Sequence, residues 1–125
     1  MDLTQMTREI EQYVIDLRRE FHAHPELSYH EERTTARIRE ELDRWNIPHE
    51  TVGHGNVVGL LDTGRPGKSL AIRADIDALP MDEPDKSRPY CSQVPGVMHS
   101  CGHDSHAAML LGTARVLSAI QDSLR

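Results

Sequence analysis

Leu3, Met6, Ile10, Tyr13, Val14, Leu17 and Phe21 fall at steps of three and four, the stripe of one amphipathic helix facing a core. Pro25 ends it, because the residue before a proline is disfavoured in the helical region. Ser28-Tyr29-His30-Glu31 has the form of a capping box. Ile38, Leu42 and Trp45 carry a second helix from there to Asn46-Ile47-Pro48, with Glu and Arg dense on its outer side. The period then shortens, and residues 50–52, 56–61 and 69–75 read as strands. A Gly- and Pro-containing turn at 63–68 predicts that the last two pair as a hairpin. Their nearly continuous apolar runs predict strands covered by helices on both faces. Residues 82–96, with Pro84, Pro89 and Pro95, read as an irregular surface loop. A last helix follows from Ala107, Leu110, Leu111, Ala114, Leu117, Ala119 and Ile120, with Asp104 or Ser105 as N-cap. Ala107, Ala108 and Gly112 are small enough to let it lie close against a sheet. The expected class is α/β, a mixed sheet flanked by helices.

At 125 residues this is one small domain or a piece of a larger one. No apolar run is long enough to span a membrane. The first eleven residues resemble neither a signal peptide nor a transit peptide, so a cytoplasmic location is expected. Fourteen basic against twenty acidic residues give a formal charge of −6, with no basic stripe and few aromatic residues, which argues against nucleic-acid binding. Arg18-Arg19, interleaved with acids, reads as part of a solvated helix face. Cys91 and Cys101 could form one disulfide, but a cysteine inside a histidine cluster fits a reducing compartment better.

That cluster is His99-Ser100-Cys101-Gly102-His103-Asp104-Ser105-His106. In an extended segment Cys101 and His103 leave the same face of the backbone. A thiolate, an imidazole and nearby carboxylates form a borderline-soft set suited to zinc or manganese. A chance grouping of histidines on a solvated loop is the alternative. Asp75 and Asp77 end the last strand-like run, before Pro80. Such a pair can orient a histidine ligand, bind a cation or hold an arginine such as Arg73; equally, an aspartate before a proline turn can cap its own backbone.

Three blocks together resemble a known family: Arg18-Arg19-Glu20-Phe21-His22-Ala23-His24-Pro25-Glu26-Leu27-Ser28, then Leu70 to Met81 through Arg73-Ala74-Asp75-Ile76-Asp77-Ala78-Leu79-Pro80, then Gly96-Val97-Met98 and the octapeptide. In order and spacing they are similar to the amidohydrolases that include N-acyl-amino-acid amidohydrolases, hippurate hydrolases and auxin-conjugate hydrolases, within the aminoacylase and carboxypeptidase group of metallopeptidases. The resemblance spans nearly the whole chain.

It implies the N-terminal part of a dinuclear metallopeptidase catalytic domain. Two divalent ions, manganese, zinc or nickel, would serve hydrolysis of the amide of a small N-acyl amino acid. Cys101 and His103 match the family's Cys-Gly-His ligands, and Asp77 matches the acid that orients a ligand. Asp75 stands where related enzymes carry a histidine, so its role stays open. His22, Arg73 and His106 lie inside family blocks without assigned roles. The general-base glutamate, two further histidine ligands and a lid domain follow later in such enzymes. Residues 1–125 are therefore expected to hold part of the catalytic domain and to be inactive alone. Complete members are expected to be homodimers, and exposed apolar faces of this chain to favour self-association. A cysteine hydrolase built on Cys101 is the competing enzyme class, and an inactive folding or complementation module the non-enzymatic one.

Overall fold

The computed structural model describes residues 1–124. Its order is α1 (Leu3–Glu9), α2 (Glu11–Ala23), α3 (Glu32–Arg44), β1 (His49–Val52), β2 (Asn56–Gly59) and α4 (His103–Ala119), closed by a 3-10 turn over Gln121–Ser123. The α/β class is as expected. The named strands form one antiparallel pair, while isolated bridges at Leu27–Ala78 (parallel) and Leu79–Met98 (antiparallel) add short pairings elsewhere.

The expected first helix is two. The helical geometry lapses at Ile10 and restarts one residue later, with Val14 N–H still donating to the Ile10 carbonyl at 3.0 Å. The apolar stripe runs across this break, so periodicity alone does not report it. Asp2 caps α1 by accepting from Thr4 and Gln5 N–H.

Helix α3 begins at Glu32, three residues later than a box capped by Ser28 would start it, with Tyr29 in a left-handed conformation (φ 67°). Glu31 is the N-cap and makes no side-chain cap bond. The distant Glu26 carboxylate instead accepts from the N–H groups of Arg33 and Thr34 and from the Thr34 hydroxyl. A partner from outside the helix has satisfied donors that the Ser28–Glu31 pattern assigns locally. The other end follows the sequence. Asn46 takes a left-handed conformation (φ 54°), its N–H donates to Asp43 O, and Ile47 N–H donates to Leu42 O. This is the Schellman arrangement, completed by burial of Ile47 and Leu42.

The expected hairpin is also corrected. The 56–61 run pairs with its neighbour upstream, His49 to Gly59 and Val52 to Asn56, and not with 69–75. Gly53 and Gly55, both at positive φ, make the short connection that L side chains resist. Residues 69–75 take no named strand, and Leu70 is 85% exposed. The apolar run there signals burial on two faces, which the described residues do not supply.

The core lies between helices. Leu17 and Phe21 of α2, Leu42 of α3, Ile47, and Ala107, Ala108 and Leu111 of α4 are buried together. The small residues of α4 admit a helix and not a sheet, contrary to expectation: a Cβ at Gly112 would lie 2.6 Å from Val14 Cγ2 and 3.2 Å from Ile10 Cδ1. Buried Glu41 meets Arg37 and accepts from the Tyr13 hydroxyl at 2.8 Å. Among the described residues no helix is long and apolar enough to cross a membrane.

Candidate functional site

Helix α4 starts at Gly102, whose φ of 103° belongs to glycine and lets the chain turn sharply out of the 99–101 segment. Gly102 offers no side-chain cap. The first turn is anchored instead by its next two residues, each bonded to a different segment.

His103 faces the 75–81 segment. Ala78 N–H donates to Glu26 O, and Leu79 and Met98 exchange both backbone bonds. Those contacts fix Asp77 beside α4, where it accepts from His103 Nδ1 at 2.9 Å, and the Asp77 carbonyl lies 3.0 Å from the same nitrogen. Both partners are acceptors, so Nδ1 carries the hydrogen and Nε2 keeps its lone pair for a ligand. His103 and Asp77 are half-buried. Cys101, two residues earlier, is an exposed free thiol.

Asp104 faces α2. Its Oδ2 accepts from His22 Nδ1 at 2.8 Å and pairs with Arg18 Nε at 3.1 Å, while Oδ1 accepts from Ser105 N–H. His22 Nε2 lies 2.9 Å from Glu83 Oε1, and the other Glu83 oxygen accepts from Ser92 N–H at 2.6 Å. His22, Glu83 and Asp104 are 2%, 4% and 2% exposed. Burial alone raises a carboxyl pKa, but the Ser92 and His22 bonds outweigh it and hold Glu83 below its ordinary value.

The remaining residues separate. Asp75 holds Arg73 at 2.6 Å on the surface, one of the roles open to it from the sequence. His106 is exposed one turn along α4, its ring 6.1 Å from that of His103. His99 is buried, burial lowers its pKa, and its Nε2 has no hydrogen-bond partner among the described residues. Among those residues no three His, Cys, Asp or Glu side chains converge as a metal-holding group.

Three participants escape the sequence pattern. Glu83 lies in the stretch expected to be a surface loop, Asp104 is expected only as a cap, and Arg18 is expected on a solvated face. No local signal flags them, because each partner is distant in sequence: 61 residues separate His22 from Glu83, and 82 separate it from Asp104.

The chemistry fits half of a metal centre. An imidazole fixed in one tautomer by a carboxylate, with an accessible thiol beside it in sequence, suits a divalent ion of the zinc and manganese type. The profile of "Peptidase family M20/M25/M40" matches residues 71–125. The N-acyl-L-amino acid amidohydrolase of Geobacillus stearothermophilus is 42% identical over 99% of this chain and 34% of its own length. Thermostable carboxypeptidase 1 of Saccharolobus solfataricus is 44% identical over 98% of this chain and 32% of its own. The crystal structure of Bacillus subtilis YXEP, a dinuclear metal binding peptidase from the M20 family, superposes with a TM-score of 0.86 at 39% identity, over 94% of this chain and 33% of that one. The chain thus spans about a third of the length of the relatives it matches.

Proposed function

Over residues 71–125 the chain is a member of peptidase family M20/M25/M40, and from that premise we propose that it contributes part of a metal-dependent amidohydrolase site acting on N-acyl amino acids. The observation that carries this reading is the Asp77–His103 bond, which leaves Nε2 free, two residues along the chain from the exposed Cys101 thiol. Cys101 and His103 would hold the metal, with Asp77 orienting His103. A divalent ion, once bound, supplies Lewis acidity toward the amide carbonyl and acidifies water. This chain's own part is to hold the imidazole in its ligating tautomer and to present the thiol. Manganese, zinc or nickel fits the donor set, and two such ions complete the site in this reading.

Residues 1–125 form one portion of the catalytic domain in this proposal, the lid and remaining ligands lying elsewhere. Its support is the one-third span of the relatives. The substrate class follows the name of the Geobacillus relative. The free thiols accord with a cytoplasmic setting. Exposed Leu60, Leu70 and Ile72 favour self-association, which size exclusion at two concentrations would reveal.

Titrating manganese or zinc into the chain tests the reading. Weak binding of one ion, abolished by Cys101→Ala and by His103→Ala, is expected; tight binding of two ions unaffected by either substitution contradicts it. Hydrolysis by the complete enzyme should stop on chelation, whereas activity surviving chelation but lost on thiol alkylation would point to a cysteine hydrolase.

A further inference from the structure

His22 takes no part in that proposed chemistry, yet it is among the most enclosed side chains of the molecule. Its Nδ1 meets Asp104 and its Nε2 meets Glu83, so each nitrogen faces a carboxylate oxygen. Isolating such polar groups from water is costly, and an apolar packing of the same volume is often as stable or more so. Stability alone is therefore a poor account of the cluster. What it achieves is registration of three segments: α2 through His22 and Arg18, the 83–92 stretch through Glu83, and the first turn of α4 through Asp104.

We propose that His22 is a positioning residue for the metal-side turn: its bond to Asp104 fixes where α4 begins and thereby where Cys101 and His103 point. The inference rests on the metal reading above for its purpose, but its mechanical part stands on geometry alone. Gly102 supplies no cap, and its left-handed backbone has no side chain to limit it. The turn is otherwise held by His106 N–H donating to Gly102 O at 3.0 Å, by the Asp77–His103 bond and by the Arg18 guanidinium on Asp104 at 3.1 Å. Asp104 is the residue directly after His103, so a carboxylate pinned to α2 limits rotation of the whole turn.

Asparagine and glutamine separate the two arms of His22. The amide nitrogen of His22→Asn falls near the position of Nδ1 and keeps a donor for Asp104; that of His22→Gln falls near Nε2 and keeps one for Glu83. Amide hydrogen exchange, followed residue by residue on the full chain, reads the turn without any metal. The His106 amide should exchange about tenfold faster in His22→Gln relative to the helix-internal Leu111 and Val116 amides, and stay near wild type in His22→Asn. Manganese affinity should follow the same order, falling about tenfold in His22→Gln, at the lower end of the effect of outer partners of metal ligands. Equal acceleration throughout α4 in His22→Gln, or asparagine behaving like glutamine, overturns the proposal. Should the wild-type chain bind no manganese, the metal reading fails by itself, and the exchange comparison still decides on the clamp. His22→Ala is the harsher variant, and if it does not fold the asparagine and glutamine pair decides the matter.

Discussion

Two histidines sit on either side of the first turn of α4, and each is bonded to an aspartate through Nδ1. Around His22 the second nitrogen is also taken, by Glu83, and the three side chains are shut away from solvent. Around His103 the second nitrogen is free and the ring is half-buried, with an exposed thiol two residues earlier in the chain. The same pair of residue types thus gives a structural lock in one place and a ligand poised for metal in the other. The difference lies in what occupies Nε2.

The largest expected effect comes from opening the lock. Glu83→Ala leaves His22 Nε2 and the Ser92 N–H without their partner, and should cost about 3–5 kcal/mol in denaturant unfolding, the range for removing one partner of a buried pair. His103→Ala, on the open side, should cost no more than about 1 kcal/mol in the same measurement. If the two losses are equal, the contrast fails.

Next is the acid that holds His103. Asp77→Asn should lower zinc or manganese affinity by about 10–100-fold while changing stability little, as read by competition with a chromogenic chelator.

Acid titration separates the regions more gently. Glu83 and Glu41 have folded pKa values held below the ordinary carboxylate range. Their contribution is present above the unfolded value of about 4.3 and is lost as pH falls through the lowered folded value. The urea midpoint should therefore decline on acidification below about pH 4.3, and Glu83→Gln should show a shallower decline.

The smallest effect is at the surface. Asp75→Ala breaks only the exposed pair with Arg73 and should change stability by at most about 0.5 kcal/mol, as for most exposed ion pairs. A large loss of metal affinity there would move Asp75 into the centre.

Part of this contrast is legible in the sequence. Helical periodicity locates α2, α3 and α4, and Asn46 marks a real Schellman end. The sequence offers Asp77 as an acid able to orient a histidine ligand without naming the histidine, and its bond to His103 is visible only in the structure. What local pattern does not reveal depends on long-range partners. Glu26 replaces the expected Ser28–Glu31 cap, β2 pairs with the nearer strand through two glycines, and Glu83 in a proline-rich loop is buried. Residues 69–75 illustrate the reverse case, since their apolar pattern asks for neighbours that the described residues do not provide.

Ring-nitrogen NMR of the eight histidines, recorded on the chain with and without added zinc, tests the central contrast most directly. His103 should show a hydrogen on Nδ1 only and a zinc-dependent shift at Nε2, with both His22 nitrogens unmoved. A zinc response at His22, or a His103 ring whose Nε2 ignores the metal, would contradict the division between lock and ligand.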